Sequence, residues 1–116
     1  MTTQTCIFCR IIKGEIRGDI VDRDELVLAL RDIHPQAPVH VLIMPVEHIP
    51  YVKDVGGARG ELLGRMAAMA IKVAQREGIA ESGYRLAINH GPDSQNNVAH
   101  LHMHLMGGRR LDGKMG

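Results

Sequence analysis

Apolar positions along this 116-residue chain fall into a few short continuous runs and one long periodic stripe. Cys6 to Lys13 (Cys-Ile-Phe-Cys-Arg-Ile-Ile-Lys) spans two turns of helix, with Ile7, Phe8 and Ile11 on one side and Gly14 placed to stop it. Val27 to Leu30 is a continuous apolar run between charged residues, the pattern of a buried strand. Ile33 to Pro38 holds two prolines and is a loop; Val39 to Met44 is the next strand, ended by Pro45. Gly56, Gly57 and Gly60 precede the one long helix, over Glu61 to Arg76, whose Leu62, Met66, Met69 and Val73 recur at helical spacing while Ala70 and Ala74 widen the stripe. Gly78 is its stop. Tyr84 to Asn89 alternates as a half-buried strand, His90 to Asn97 is a polar loop, and Val98 to Met106 is the final strand before Gly107-Gly108. With no internal repeat and no linker, the pattern predicts one α+β domain with a largely antiparallel sheet.

Composition narrows the picture. Apolar residues make up 45% of the chain, enough for one core, and they are mostly aliphatic: Phe8, Tyr51 and Tyr84 are the aromatics. A formal net charge of +1 with no charge run gives no steering toward nucleic acid or a membrane surface, so neither is expected as a partner. Arg109, Arg110 and Lys114 read as a solvated tail rather than a phosphate-binding arm, with 1–5 and 109–116 as extended tails on a domain covering 1–116. No charged-then-apolar signal segment opens the chain, and no apolar run nears the roughly 20 residues of a membrane span, so a cytoplasmic protein is expected. There the pair Cys6 and Cys9 reads as a metal or redox site before a structural disulfide.

His100, His102 and His104 alternate with Leu101, Met103 and Leu105. On a strand, period two sends all three imidazoles to one face, neighbours roughly 6.6–6.8 Å apart, and puts the apolar residues in the core. A polar loop rich in amides leads straight into them, which speaks against a merely solvated edge. Two chemical readings stay open: a three-histidine metal centre with an open position, or divided roles, one imidazole ligating metal while another acts as nucleophile.

The stretch His100-Leu101-His102-Met103-His104-Leu105-Met106 resembles the signature of the histidine-triad family, His-φ-His-φ-His-φ-φ with φ apolar. The blocks Leu28 to His40 and Pro45-Val46-Glu47-His48-Ile49 resemble the family's upstream motifs, and Gly107-Gly108-Arg109 resembles its Hint-type branch. The resemblance covers Cys6 to Arg110 and implies a five-stranded antiparallel sheet with one long helix and a short N-terminal one. It also implies cleavage at the α-phosphate of a purine nucleotide conjugate, such as a phosphoramidate, through a covalent nucleotidyl-histidine. By that likeness His102 is the nucleophile, its near nitrogen held by a backbone carbonyl, and His104 contacts the phosphate. Gln95, Asn96 and Asn97 match the phosphate loop, Asp32 the acceptor of the ribose hydroxyls, and Asn89 a second ribose contact. Ile7, Phe8, Ile11, Leu30 and Ile33 match the base pocket. On residue type alone Asp32 serves equally as a turn cap. His34 and His90 read as solvated loop residues, and His40 as a structural or supporting histidine near the cluster.

Relatives bearing the N-terminal cysteine pair complete a zinc site with a histidine of the Pro-x-x-His block and the first triad histidine, here His48 and His100. Two thiolates and two imidazoles leave no open position, so such a zinc is structural and staples the N-terminal helix to the His102 segment. The chain departs from the family at Asn97, where a hydroxyl residue is usual: an amide donates to a phosphate but cannot relay a proton. That motivates a second function, a nucleotide-binding regulatory or adaptor protein with vestigial turnover. An open zinc at His100, His102 and His104 would make a third, a metalloenzyme. The resemblance also implies a homodimer, with the long helix and the last strand available for pairing.

Overall fold

The computed structural model describes residues 3–96 and 98–114. Helix α1 (Ile7–Ile12) is followed by β1 (Ile20–Arg23), β2 (Val27–Arg31), β3 (Val39–Pro45), α2 (Gly60–Arg76), β4 (Tyr84–Ile88) and β5 (Met103–Gly107), with short 3₁₀ turns at Val52–Asp54, Gly57–Arg59 and Pro92–Ser94. The strands form one antiparallel sheet in the order β1-β2-β3-β5-β4. The expected α+β class, the five-stranded antiparallel sheet and both helices are present.

Continuous apolar runs make these strands because both sheet faces are covered. Val27, Ala29, Val41, Ile43, Met103 and Leu105 face α2, packing with Met66, Met69, Ala70, Val73 and Ala74 of its stripe. Their alternates Leu28, Leu30, Leu42 and Met44 pack on the other face against Phe8, Cys9, Ile11 and Ile12 of α1. Gly78 takes φ +77 just past α2, a conformation that suits a residue without Cβ. No helix among the described residues is long and apolar enough to cross a membrane.

Three details differ from the pattern-based reading. The strand β1 went unread because its four residues are only partly buried and lie at the sheet edge beside a bulge between Ile20 and Asp22. The final strand begins at Met103, not Val98, so His100 and His102 precede it. Continuing the register of Ile43 with Met103 would set Leu101 opposite Pro45, which has no N–H for the ladder. Leu101 N–H donates instead to Ile49 O at 2.7 Å. Finally, the last strand is not free for pairing: β5 lies between β3 and β4, and the open edge on that side belongs to β4.

Candidate active site

Helix α1 starts at Cys6 because that residue caps it: Cys9 N–H donates to Cys6 Sγ at 3.4 Å. The cap brings both thiols to one point under the sheet, where they meet His48 and His100. Cys6 Sγ lies 3.3 Å from His100 Nδ1, Cys9 Sγ 3.2 Å from His48 Nδ1 and 3.5 Å from His100 Nδ1, and the two Nδ1 atoms are 3.3 Å apart. Zinc–sulfur bonds of about 2.3 Å and zinc–nitrogen bonds of about 2.0–2.1 Å at tetrahedral angles set ligand atoms roughly 3.3–3.8 Å apart, so this four-atom set is of the size a tetrahedral zinc requires. His100 Nε2 donates to Pro45 O at 2.9 Å, which leaves the Nδ1 lone pair for the metal. Burial, foremost, and the hydrogen bond and charge of Cys6 push the Cys9 thiol up to about 11, and burial pushes His100 down to about 4. A cation at this point would displace the proton of Cys9 and take the free Nδ1 lone pair of the neutral, buried His100, so the donor chemistry fits zinc.

Two residues beyond His100, His102 is also largely buried, and its Nδ1–H donates to His100 O at 2.7 Å. The proton is thereby on Nδ1, and Nε2 keeps its lone pair. Phe8 stands edge-on to both rings, with centroids 5.8 Å from His100 and 5.3 Å from His102. The His104 ring lies 5.2 Å from that of His102, and its Nδ1 is 2.9 Å from His40 Nε2. The three triad rings do not share one metal: each Nδ1 faces a different partner, the thiol cluster, a carbonyl and His40.

His102 and His104 form one side of a cleft of about 260 Å³ whose apolar wall is Ile7, Phe8, Ile11, Leu30, Leu42 and Val98, with Arg31, Asp32 and Ile33 also lining it. That is slightly under the roughly 300–1,000 Å³ of ordinary ligand sites and suits a flat ring with its polar substituents left outside. Asp32 has two jobs available: Oδ1 accepts from His34 N–H at 2.8 Å, closing the turn, while Oδ2 lies 3.4 Å from His40 Nε2. Asn89 and Gln95 line a polar hollow on the far side of His104 together with His40, Arg85 and Arg109. Asn96 borders a neighbouring hollow with Tyr51 and His90 and is not part of the apolar cleft's wall. Asn97 lies outside the described residues. Gln95 adopts φ 62, a left-handed conformation costing a non-glycine residue about 1–2 kcal/mol, where it ends the Pro92–Ser94 turn ahead of the histidine segment. His34 and His90 are exposed, as expected of loop residues. Leu42 and Val98 of the cleft, and the contact of His40 with His104, went unread; the register pairing Leu42 with His104 is what brings them together.

Burial, then the charges of His102 and His40, pushes His104 down to about 4 against the upward pull of Asp32, and burial lowers His40 as well. Both rings are neutral in the folded chain and take up protons more readily when unfolded, near the ordinary 6.5. Their contribution to stability is therefore fully present above pH 6.5 and lost as pH falls toward 4. Urea midpoints measured at pH 7 and pH 4.5 should fall with acid, and the fall should be smaller in His104→Gln; an equal fall would show that His104 carries none of it.

Fold and site define the class: an α+β domain presenting a row of imidazoles beside an apolar cleft and over a buried Cys₂His₂ ligand set. The chain belongs to the HIT domain family, whose profile matches residues 13–111. It is 53% identical over 105 residues to purine nucleoside phosphoramidase of Escherichia coli K12, a match covering 90% of this chain and 88% of that one. It is 48% identical over 113 residues to the 14 kDa zinc-binding protein of Zea mays, covering 91% and 84%. The crystal structure of a HIT family hydrolase from Legionella pneumophila superposes with a TM-score of 0.93 at 45% identity, over 97% of this chain and all of that one.

Proposed function

We propose that this chain is a nucleotidyl hydrolase that cleaves at the α-phosphate of a purine nucleotide conjugate, a phosphoramidate or related adenylated compound, with His102 as nucleophile. The observation that carries the reading is the 2.7 Å bond from His102 Nδ1–H to the His100 carbonyl, which leaves Nε2 as the nucleophilic nitrogen beside the apolar cleft. The base enters between Ile7, Phe8, Ile11, Leu30 and Ile33, and Asp32 accepts the ribose hydroxyls. Nε2 attacks phosphorus, the P–Nε2 bond forms, and the bond to the leaving group breaks, that group departing with a proton taken from solvent. Water then attacks phosphorus and gives a proton back to solvent, the P–Nε2 bond breaks, and His102 returns as a neutral ring while nucleoside monophosphate leaves. His104 donates to a phosphate oxygen, and Gln95, Asn96, Asn97 and Asn89 complete the polar side. Cys6, Cys9, His48 and His100 would hold a zinc whose contribution would be structural. The chain works as a homodimer, and the open edge of β4 with the exposed face of α2 supports that reading: Leu86 and Ile71 are large apolar residues left exposed there.

Metal content combined with trapping of a nucleotidylated histidine tests this. One zinc per chain and an adduct on His102 is the expected result; nucleotide binding with no adduct would favour the regulatory or adaptor reading. A third test concerns Asp32. Asp32→Asn keeps an Oδ1 acceptor for His34 N–H but loses the charge, so it should weaken discrimination between ribose and deoxyribose conjugates by roughly 1.5–3 kcal/mol. Equal loss of affinity for both sugars would assign Asp32 to the turn alone.

A further inference from the structure

Asp32, His40 and His104 bring one carboxylate oxygen and two imidazole nitrogens within 4.8 Å of one another, the donor set of a second metal site. The hydrogen bonds around His40 rule that use out. Gln36 N–H, which can only donate, is 3.0 Å from His40 Nδ1 and takes that nitrogen's lone pair. A neutral imidazole then carries its proton on Nε2, where no lone pair remains for a cation. The Asp32 carboxylate, 3.4 Å from Nε2, favours the same tautomer, since it attracts an N–H and repels a lone pair. Two independent neighbours therefore select one protonation pattern. With His40 buried among them, its Nε2–H donates to His104 Nδ1 at 2.9 Å.

The consequence passes through His104. Its Nδ1 is an acceptor, so its own proton is on Nε2. We propose that His40 is a positioning residue that locks His104 in the Nε2–H tautomer, so that His104 meets the phosphate as a hydrogen-bond donor. The chain of donors runs from the Gln36 amide through His40 to His104, each member having one arrangement left to it. Without His40 the His104 ring is free to turn a lone pair toward a phosphate oxygen, which repels where it should attract. The lock itself follows from hydrogen bonding in the free protein; its use in turnover rests on the phosphate contact proposed for His104.

The test uses metal-loaded protein at neutral pH. Long-range proton–nitrogen NMR correlations should show His40 and His104 both protonated on Nε2. His40→Leu, which fills a buried position with an apolar side chain of similar size, should leave His104 in mixed tautomers and lower kcat/KM by about 10²-fold, the low end of what losing one preorganised donor costs. AMP affinity should stay within about threefold. His40→Gln restores a donor toward His104 Nδ1 and should return the Nε2–H signature and most of the rate. That variant and the wild-type spectrum carry the test if His40→Leu does not fold. A His104 ring protonated on Nδ1 in wild-type protein, or a second bound zinc that His40→Gln removes, would overturn the lock. A locked ring together with an unchanged rate in His104→Ala would instead overturn the phosphate contact, and with it the catalytic use of the lock.

Discussion

Replacement of His102 by alanine should abolish hydrolysis while leaving nucleotide affinity within about tenfold, because the lost interaction is a covalent bond made only during reaction. The ring is largely buried beside Phe8 and anchored by its bond to the His100 carbonyl, so alanine removes the nucleophile while Ile7, Phe8, Ile11, Leu30 and Asp32 keep the rest of the base and ribose contacts. Steady-state hydrolysis and AMP binding, measured on the same preparation, check it. More than a few per cent of wild-type turnover would mean that the nucleophile is another group. His104→Ala would then be the variant to examine for the adduct, since its ring is the nearest imidazole in the cleft.

The second large effect concerns the thiols. Cys6→Ser or Cys9→Ser should destabilise the domain by several kcal/mol in order of magnitude, lowering the melting temperature by roughly 10 °C or more, since metal binding at such sites is folding free energy. Cys6 is both a member of the four-atom set and the cap of α1, and since serine keeps a capping oxygen the loss in Cys6→Ser falls on the metal site. The molecules that remain folded should keep their activity: the carbonyl that anchors His102 is backbone, and Leu101 N–H to Ile49 O holds that stretch independently. Differential scanning calorimetry with metal analysis decides the matter. A Cys6→Ser protein melting at the wild-type temperature with its zinc intact would sink the four-ligand site.

Much of this architecture was legible in the residues themselves. The runs at Val27 and Val39 announced strands covered on both faces, and the stripe from Leu62 to Val73 announced the helix that covers one of them. Alternation around His102 correctly put Leu101, Met103 and Leu105 in the core. What stayed hidden depends on pairing across the sheet, which local pattern does not carry. The point where β5 begins is set by a proline on a neighbouring strand, 58 positions earlier in the chain. The partner of His104 is set by the register that faces β5 with β3, and no spacing within either segment reveals it. The candidate zinc ligands show the same division. Cys6 and Cys9 announce half a site by their spacing, whereas His48 and His100 join them through a family likeness that the geometry matches in its distances.

The sealing of that ligand set governs time as well as stability. Cys6 and His100 have no exposed surface, and the sheet closes the site on one side while α1 closes it on the other. A zinc held there would be reached from the partly buried His48 side or after α1 lifts, and where lifting is the slow step its release would not rise with chelator concentration. A metal at this site would thus be held partly by slowness of exchange and not by affinity alone.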